Sequence, residues 1–519
     1  MAGSTKSKVG VGEPAANTRS TVRPGSQYET APDAVAASRK LSSFDAQFLA
    51  AETGNILSNF CGIFVFDPPQ DGDEISREGV IGLIESRIGS IPPLRWRLQT
   101  VPFNLDHPSF ITAPVNVADH VIAHTLPEPG GPTELCDVGA AILAERMDRS
   151  RPLWEIHVID GVADGGVGIA FKFHHAVADA LGASTIAGLL LDPSPTGGRP
   201  LPPAVPDGVA EKRSRLFFRG LRATLSHPAR AARAAATALP QIDQVPMMRT
   251  LPGVQRVAAT VRRAAKFAGR PSPEAAPFSP APRTRLNGPL SRGRSAGLGT
   301  VEVAMVRKLK SAYGVSFNDI VMAAVAGGMR TVFAEKDELP DQPLVAFVPA
   351  NVRTVGEDGG FGNAISSYVV PIPSNLAEPG ERVAAAAAAM LAAKKRHALT
   401  PPTLMIDAND LIPPLAFRAL AGGLLQMMGT GRFEPPVNLL VSNVPGPQVP
   451  VYMLGGKLRS ILPLSLIFPG ALLNVTVISY IDRLDIGLTG DAEAVPDVAE
   501  LAAAIVAEFD ALTAAAPQP

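Results

Sequence analysis

Two adjacent histidines, His174 and His175, with Asp179 close behind them, carry the strongest chemical signal in the chain. They follow an apolar run, residues 167–173, that predicts a buried strand ending at the first histidine. An imidazole titrates near neutral pH, so a histidine fixed at a strand end can take the proton of an alcohol or thiol that attacks an acyl carbon. We expect His175 to be this base, His174 to hold the loop, and Asp179 to orient it. The alternative is ordinary packing, because this spacing also arises by chance.

A Pro-Leu-Trp-Glu segment, made of Pro152, Leu153, Trp154 and Glu155, precedes the histidines. A rigid proline beside a large indole suits the wall of an apolar substrate tunnel, and on this ground the segment is a candidate for substrate binding. The alternative is that the indole of Trp154 fills the core between two layers. We favour this alternative for the indole because buried tryptophan side chains ordinarily serve packing.

Two segments in the second half of the chain supply further candidates. Asn318 begins a predicted helix, where its amide and the helix N-terminus could stabilise the oxyanion of a tetrahedral intermediate. The simpler alternative is a helix N-cap, for which asparagine is a preferred residue. Asn443, Pro445 and Gly446 follow a predicted strand, and we expect this turn to shape the substrate-binding interface between domains rather than to react.

Taken together and in this order, these segments resemble the bacterial wax ester synthase/diacylglycerol acyltransferase family. The marks are the His-His-x-x-x-Asp sequence, the Pro-Leu-Trp-Glu segment, the Asn-Asp pair at Asn318 and the Asn-Val-Pro-Gly-Pro turn from Asn443. Residues 41–52, 92–98 and 286–289 are similar to other family signatures, so the resemblance extends from about residue 41 to the end. It implies acyl-CoA as donor and a channel between two domains that holds His175 and Asn318.

One residue departs from the family pattern. The family has glycine after the aspartate, whereas this chain has Ala180. Alanine favours the start of a helix if the residue takes helical torsion angles, but a positive φ would force the loop to shift. If the methyl group restricts the loop, Ala180→Gly should raise kcat with little change in KM.

Composition limits the class of protein. With 519 residues the chain exceeds a single core, and its net charge of −1 gives no reason to expect a nucleic acid partner. Cys61 and Cys136 are the two cysteines, too few for a disulfide framework or a zinc cluster, so we expect a reducing cytosol and no metal or cofactor. The run from residue 460 to 481 is uncharged but contains prolines, and it favours two buried strands over a membrane span.

Basic residues are concentrated in the middle of the chain. Residues 212–294 contain 17 Lys and Arg against two acidic residues, Asp243 and Glu274, and the pattern predicts two amphipathic helices. Such helices can lie on an anionic lipid surface, or they can form a crossover whose apolar side packs on the core. Both interpretations stay open on the sequence.

The order of predicted elements favours an α/β protein. The resemblance implies two chloramphenicol acetyltransferase-like domains, each a mixed sheet with flanking helices, joined by the long basic helical crossover. We place a disordered tail at residues 1–39, the first domain at 40–191, the Pro/Arg-rich linker at 192–294 and the second domain at 295–519.

The resemblance implies an O-acyltransferase that moves a long-chain acyl group from acyl-CoA to diacylglycerol, and also to long-chain alcohols. The protein is expected in the cytoplasm, with peripheral contact to the inner membrane or to lipid inclusions as an open alternative. Two rival functions remain at this point: a weakly active or inactive homologue that binds lipid droplets or membrane surfaces, and a condensation-type acyltransferase.

Overall fold

The structure, a computed structural model, describes residues 38–69, 74–269, 280–351, 361, 363 and 365–517. The predicted N-terminal tail lies outside the described residues except for Ser38 and Arg39, which belong to a strand. The strands are β1 (Ser38–Lys40), β2 (Asn59–Phe66), β3 (Trp96–Gln99), β4 (Ser109–Thr112), β5 (Val121–Thr125), β6 (Trp154–Val162), β7 (Gly166–His174), β8 (Arg294–Glu302), β9 (Leu344–Asn351), β10 (Ile365–Ile372), β11 (Leu439–Pro445), β12 (Tyr452–Met453), β13 (Gly456–Leu464), β14 (Leu473–Tyr480) and β15 (Arg483–Asp491). The helices are α1 (Ser43–Ala51), α2 (Arg77–Arg87), α3 (Pro132–Ala144), α4 (Ala180–Leu190), α5 (Arg213–Ala238), α6 (Val254–Phe267), α7 (Val303–Tyr313), α8 (Phe317–Glu335), α9 (Pro379–Ala398), α10 (Leu404–Asp410), α11 (Pro414–Met428) and α12 (Val498–Ala514).

The first large sheet has the strand order β12-β13-β2-β7-β6-β5. Its strands pair antiparallel except for β5 and β6, which are parallel, so the sheet is mixed as predicted. β12 and β13 lie in the range predicted for the second domain, yet they form the edge of this first sheet. Residues of the range 295–519 therefore contribute to both sheets.

The strand before the histidines is apolar along its length because both faces of this sheet are covered. Ile169, Phe171 and Phe173 belong to one core and Ala170 to another on the opposite face. Lys172 interrupts the apolar run, and its fully buried ammonium donates to Glu155 Oε2 at 2.8 Å. This ion pair lets a charged residue stay inside a covered sheet.

The second large sheet has the strand order β10-β9-β11-β14-β15-β8. β9, β11 and β14 pair in parallel, and the outer strands pair antiparallel. Against it lies α8, which the sequence predicted over residues 318–334. A Cβ on Gly328 would meet the backbone nitrogen of Ile505 at 2.6 Å, so glycine allows α8 to approach α12 closely. A small third sheet has the order β1-β4-β3.

The two sheets also contact each other directly. The predicted pair of strands around residues 460–481 exists, but β13 belongs to the first sheet and β14 to the second. The backbone N–H of Ile461 in β13 donates to the buried carboxylate of Asp485 in β15 at 2.9 Å. β14 and β15 form a hairpin, in which Tyr480 pairs with Arg483 across the turn.

Both helices predicted in the basic segment are present as α5 and α6. α5 buries Leu216, Gly220 and Ala223, while Phe218 and Leu225 on the other side are 66% and 74% exposed. One face thus packs on the protein and the other presents apolar side chains to solvent. Within the described ranges no single helix is long and apolar enough to cross a membrane; α10 and α11, bent by 113°, meet that criterion only as a pair.

Candidate active site

Backbone hydrogen bonds fix the loop that carries the two histidines. The His174 N–H donates to Leu153 O at 3.2 Å, and the His175 N–H donates to Ser58 O at 2.8 Å. The Val177 N–H closes the turn on His174 O at 2.9 Å. Because successive side chains of an extended chain point to opposite sides, the two imidazoles enter different surroundings.

His174 points into the protein. Its Nδ1 accepts a hydrogen bond from the Ala176 N–H at 3.0 Å, so the ring proton is carried by Nε2. Nε2 faces Glu52 Oε1 at 3.4 Å, and both side chains are almost fully buried. These contacts agree with the expectation that His174 holds the loop.

Glu52 is the centre of a buried charged cluster. Its carboxylate accepts from the Ser58 N–H at 3.0 Å, from Arg146 at 3.1 Å and from Arg149 at 2.8 Å. Burial raises the pKa of this carboxyl, but the contact with His174 Nε2 and the hydrogen bonds from Ser58 and Arg149 lower it to about 2. Glu52 is therefore ionised at neutral pH and anchors the histidine.

His175 lies between two aromatic rings. Its imidazole stacks on Phe48 with the centroids 4.8 Å apart and meets Phe60 at 4.6 Å. Burial lowers the pKa of His175 to about 3. The imidazole is therefore neutral at physiological pH and able to accept a proton. The amide of Asn363 fixes the same loop, since its Nδ2 donates to His175 O at 2.6 Å and to Asp45 Oδ1 at 2.7 Å.

A cavity of about 460 Å³ opens beside His175. Both large sheets contribute to its wall, which is predominantly apolar and includes Phe48, Phe60, Phe171, Leu440, Ile461 and Ile478. Its volume falls in the range of small-molecule binding sites, and an apolar lining with few polar groups suits a hydrophobic substrate. The arrangement brings one neutral imidazole to the edge of a lipid-compatible cavity.

Asp179 caps the helix that follows the histidines. Its Oδ1 accepts from the Gly182 N–H at 2.8 Å, and α4 begins at the next residue, Ala180. Ala180 is thus a helical residue and is not among the described residues with positive φ. Of the two alternatives for Ala180, the structure therefore shows the one in which alanine begins a helix.

Comparison with known proteins identifies the family. Residues 41–321 match the wax ester synthase/diacylglycerol acyltransferase catalytic domain, and residues 361–513 match the C-terminal domain of the same family. The chain belongs to this family. It is therefore an acyltransferase, as the histidine motif predicted.

The relatives cover almost the whole chain. One protein of Mycobacterium tuberculosis, provisionally named a diacylglycerol O-acyltransferase, is 32% identical over 465 residues, which are 89% of this chain and 88% of that protein. A second, with the same provisional name and from the same organism, is 30% identical over 482 residues, 92% of this chain and 98% of the relative.

Solved structures establish the fold. The wax ester synthase/diacylglycerol acyltransferase from Marinobacter aquaeolei VT8 aligns with a TM-score of 0.64 and 24% identity, covering 92% of this chain and 99% of that one. The starter condensation domain of rhizomide synthetase aligns with a TM-score of 0.52 and 14% identity, covering 93% and 96%. With its two mixed sheets and flanking helices, the acyltransferase has the predicted chloramphenicol acetyltransferase-like fold.

The Asn-Asp pair and the Asn-Val-Pro-Gly-Pro turn come together in this acyltransferase. Asn443 Nδ2 donates to Asn318 Oδ1 at 3.5 Å, and Asn443 lines the cavity, whereas Asn318 lies outside its wall. The N-cap of α8 is Ser316, with Asp319 completing a capping box, so the alternative that Asn318 is the cap is wrong. The oxyanion role of Asn318 stays a prediction.

The end of β11, with Asn443 and Pro445, and the residue after it, Gly446, meet the expectation only in part. Pro445 lines the cavity beside Asn443. Gly446 does not, and its role is close packing: a Cβ at this position would meet Ser479 O in β14 at 2.1 Å. Only glycine fits there without moving the strand.

The Pro-Leu-Trp-Glu segment is not in the cavity wall. Pro152, Leu153 and Trp154 are buried, and the Trp154 indole donates to Leu94 O at 2.8 Å and stacks on His120 with the centroids 4.3 Å apart. Glu155 is the partner of Lys172, which together with His157 lowers its pKa to about 2 against the effect of burial. The assignment of these four residues to substrate binding is therefore corrected, whereas the Trp154 ring packs in the core, which is the alternative favoured for it: the segment braces the sheet that carries the histidines.

The sequence did not single out Phe48, Glu52, Phe60 or Asn363. A usable signal existed for α1, because Phe44, Phe48 and Glu52 recur every four residues and so share one helix face. Asn363 had no such signal, since it lies in the other half of the chain, and its contact with the histidine loop depends on the tertiary fold.

The chain also contains a Gly-x-Ser-x-Gly sequence at residues 293–297, a pattern that carries the nucleophile of serine hydrolases when it forms a strand-to-helix turn. Here it falls at the start of β8, and Ser295 Oγ donates to Val495 O, so this serine is not placed as such a nucleophile.

Proposed function

We propose that this acyltransferase moves a long-chain acyl group from acyl-CoA to diacylglycerol, giving triacylglycerol, and that it also accepts long-chain alcohols. The observation that carries this proposal is the neutral imidazole of His175 at an apolar cavity of about 460 Å³. The names of the mycobacterial relatives and of the Marinobacter enzyme support diacylglycerol and wax alcohols as acceptors.

His175 is the general base in the proposed reaction. The hydroxyl oxygen of the acceptor attacks the thioester carbonyl carbon while its proton passes to the imidazole. The tetrahedral intermediate then collapses, the carbon–sulfur bond breaks, and the imidazolium returns the proton to the departing thiolate. Proton transfer of this kind contributes about 10²–10⁴-fold to the rate.

The environment of His175 supports this role in two ways. A lowered pKa keeps the resting imidazole unprotonated, and the rings of Phe48 and Phe60 restrict its rotation. The negative charge that develops on the substrate oxygen would stabilise the imidazolium formed in the transition state. The apolar wall disfavours water, which would otherwise hydrolyse the thioester.

Other residues act through position. Asp179 holds the start of α4, and His174 with Glu52 holds the loop from the opposite side. Asn318 is the proposed oxyanion donor, and its amide oxygen accepts from Asn443, which lines the cavity. Asn443 and Pro445 are proposed to contact the acyl chain or the acceptor. No metal or prosthetic group takes part in this scheme.

A lipid acceptor requires access to a lipid surface, and we assign that contact to α5. Phe218, Leu221 and Leu225 are exposed on it, and the exposed Arg215 and Arg222 lie on the same helix. An apolar stripe flanked by arginines suits the headgroup region of an anionic membrane. The acyltransferase would then work as a peripheral protein on the cytoplasmic side.

The test is an assay of the purified chain with labelled palmitoyl-CoA against diacylglycerol, hexadecanol and water as acceptors. We expect triacylglycerol and wax ester in the wild type and at least a hundredfold loss of both in His175→Ala, consistent with the loss of general base catalysis. His174→Ala should lose less, because His174 does not face the cavity. Near-normal turnover by a folded His175→Ala protein would exclude the mechanism, and absence of product with every acceptor would favour a lipid-binding homologue.

A further inference from the structure

One ring nitrogen of His175, Nδ1, is closed off from solvent. It makes no hydrogen bond of regular geometry with any residue that the structure describes. The ring itself is partly exposed and lines the cavity, so we take Nε2 as the nitrogen that faces the acceptor. A neutral imidazole carries one proton, and the partner of one nitrogen decides which nitrogen is left free. A base that works through Nε2 therefore needs an acceptor for the proton on Nδ1.

The amide oxygen of Asn363 is a second polar atom in the same state. It is buried, and within the described ranges it too makes no hydrogen bond of regular geometry. The two unpaired atoms belong to residues in contact, because Asn363 Nδ2 donates to the carbonyl oxygen of His175 at 2.6 Å. A buried donor or acceptor that stays unpaired is destabilising, and two complementary ones in one contact point to a hydrogen bond between them.

The orientation of the Asn363 amide is fixed by its other contacts. Its Nδ2 donates to Asp45 Oδ1 at 2.7 Å as well as to His175 O, and its backbone N–H donates to Asp45 Oδ1 at 3.1 Å. A flipped amide would turn Oδ1 towards a carboxylate and a carbonyl, neither of which can donate. Oδ1 is therefore the atom of this amide that is left to accept a proton from the imidazole.

The chain next to Asn363 is anchored on the first half of the protein. Phe361 meets Trp96 edge to face, with the centroids 6.1 Å apart. Asp45 is fully buried and pairs with Arg39 at 2.7 Å, and the guanidinium of Arg39 lies 5.4 Å over the same indole. Packing and a charged pair thus hold Asn363 in place, as is required of a residue that orients a catalytic side chain.

The carboxylate of Asp45 strengthens Asn363 Oδ1 as an acceptor. Hydrogen bonds in a chain polarise one another, so an amide that donates to a carboxylate carries more negative charge on its oxygen. The side-chain contact of Asn363 also raises the pKa of His175, in the direction opposite to burial. Such a contact stabilises the imidazolium more than the neutral ring, and the imidazolium is the form that arises while the acceptor attacks.

From these contacts we propose that Asn363 is the positioning residue of the catalytic base: its Oδ1 accepts the Nδ1 proton of His175, which leaves Nε2 free to take the proton of the acceptor hydroxyl. The inference rests on the proposed function, because it takes His175 to be the base. Nδ1 keeps its proton throughout, while Nε2 gains the acceptor's proton and returns it to the departing thiolate. Asparagine is the third member of Cys-His-Asn triads, and catalytic hydrogen bonds often tighten only when substrate is bound.

The direct test locates the proton on the ring. In protein labelled with nitrogen-15 histidine, the nitrogen chemical shifts at pH 7 show which ring nitrogen of a neutral imidazole is protonated, and the signals missing from His175→Ala identify His175. We expect Nδ1–H in the wild type and a shift to Nε2–H in Asn363→Leu, which removes the amide at similar volume. Asn409→Leu is the matched control, because Asn409 also reaches α1 from the second half and donates to Gln47 Oε1 at 2.8 Å.

Turnover gives a second readout, with palmitoyl-CoA as donor and hexadecanol as acceptor. In Asn363→Leu kcat should fall about 10- to 100-fold, the range for loss of a hydrogen bond to a charged group, while both KM values stay within about twofold. In the Asn409→Leu control kcat and the position of the proton should be unchanged, even where thermal stability falls. A residue that only holds the fold would lower stability in the same way and leave the proton on Nδ1.

Three results would overturn the inference. A proton on Nε2 in the wild type would do so without any variant, and this measurement decides the matter if Asn363→Leu does not fold. In a folded Asn363→Leu protein, retention of the proton on Nδ1 would do so as well, and so would retention of the wild-type kcat.

Failure of the proposed function gives a different pattern. If the proton lies on Nδ1 in the wild type and moves in Asn363→Leu, but no acceptor yields product, the positioning stands and the reaction is wrong. If the wild type forms ester and Asn363→Leu forms it equally fast, the reaction stands and the positioning is wrong.

Discussion

Replacing Glu52 by glutamine should destabilise the acyltransferase in a pH-dependent way. The carboxyl of Glu52 has its pKa lowered from 4.5 to about 2 in the folded protein, and its side chain is 2% exposed. A difference of this size corresponds to about 3 kcal/mol between the two protonation states. Because the folded-state pKa is the lower one, this stabilisation is present above pH 4.5 and is lost as the pH falls towards 2. Glutamine is uncharged, like the protonated acid, and therefore does not provide this stabilisation at any pH.

The measurement is urea unfolding followed by tryptophan fluorescence, since Trp96 and Trp154 are both buried in the core that also contains Phe171 and Phe173. At pH 7 we expect Glu52→Gln to lower the unfolding free energy by about 3 kcal/mol. The difference between variant and wild type should shrink as the pH is lowered below 4.5. Glu145→Gln is the matched control, because Glu145 is an exposed carboxylate at the end of α3 and its loss should change stability by less than about 0.5 kcal/mol.

Two results would refute this reasoning. A constant difference between Glu52→Gln and wild type from pH 7 to pH 3.5 would show that ionisation of Glu52 contributes nothing. A Glu52→Gln protein as stable as the Glu145→Gln control at pH 7 would show that Arg146 and Arg149 do not need the carboxylate. Activity adds a second readout. The amide oxygen in Glu52→Gln can still accept from His174, and kcat should therefore fall less than in Glu52→Leu.

Two further predictions concern Ala180 and the exposed arginines of α5 and α6. Ala180→Gly should leave kcat unchanged and lower stability by up to about 1 kcal/mol, because Ala180 is helical; an increase in kcat would restore the idea of a restricted loop. Changing Arg213, Arg222 and Arg263 to Gln should weaken co-sedimentation with anionic vesicles at low salt, by on the order of 1 kcal/mol for each arginine in contact. Arg262 must be kept in that variant because it pairs with Asp243. Equal sedimentation of the variant and the wild type would show that the surface formed by α5 and α6 does not bind lipid.

The sequence predicted most elements of this fold because their patterns are local. The continuous apolar run at residues 167–173 predicted β7, and the helix predicted to begin at Asn318 is α8, which begins one residue earlier. It could not predict that β13 leaves its neighbours in the chain and pairs with β2. Strand partners depend on contacts between distant residues, and the apolar pattern of β13 is the same in either sheet.

The same limit explains the errors in the site. The position of His175 could be predicted because it follows a recognisable strand. Whether Trp154 faces the cavity or the core depends on how distant elements pack against its strand, which the segment itself does not show. Asn318 and Asn443 are 125 residues apart, and their contact is invisible in either segment alone. The surroundings of the two histidines distinguish their roles more clearly than their order in the chain does. His174 contacts Glu52, whereas His175 lies against aromatic rings.

Neither half of the chain contains a complete site. The first half supplies His175, but Asn363 from the second half fixes the loop that carries it. The first sheet is completed by β13, whose Ile461 lines the cavity and also donates to Asp485 of the second sheet. The two regions that match the catalytic and C-terminal family descriptions are therefore parts of one catalytic unit. Because the cavity wall is shared in this way, separating the halves would expose its apolar lining to water, which would destabilise both.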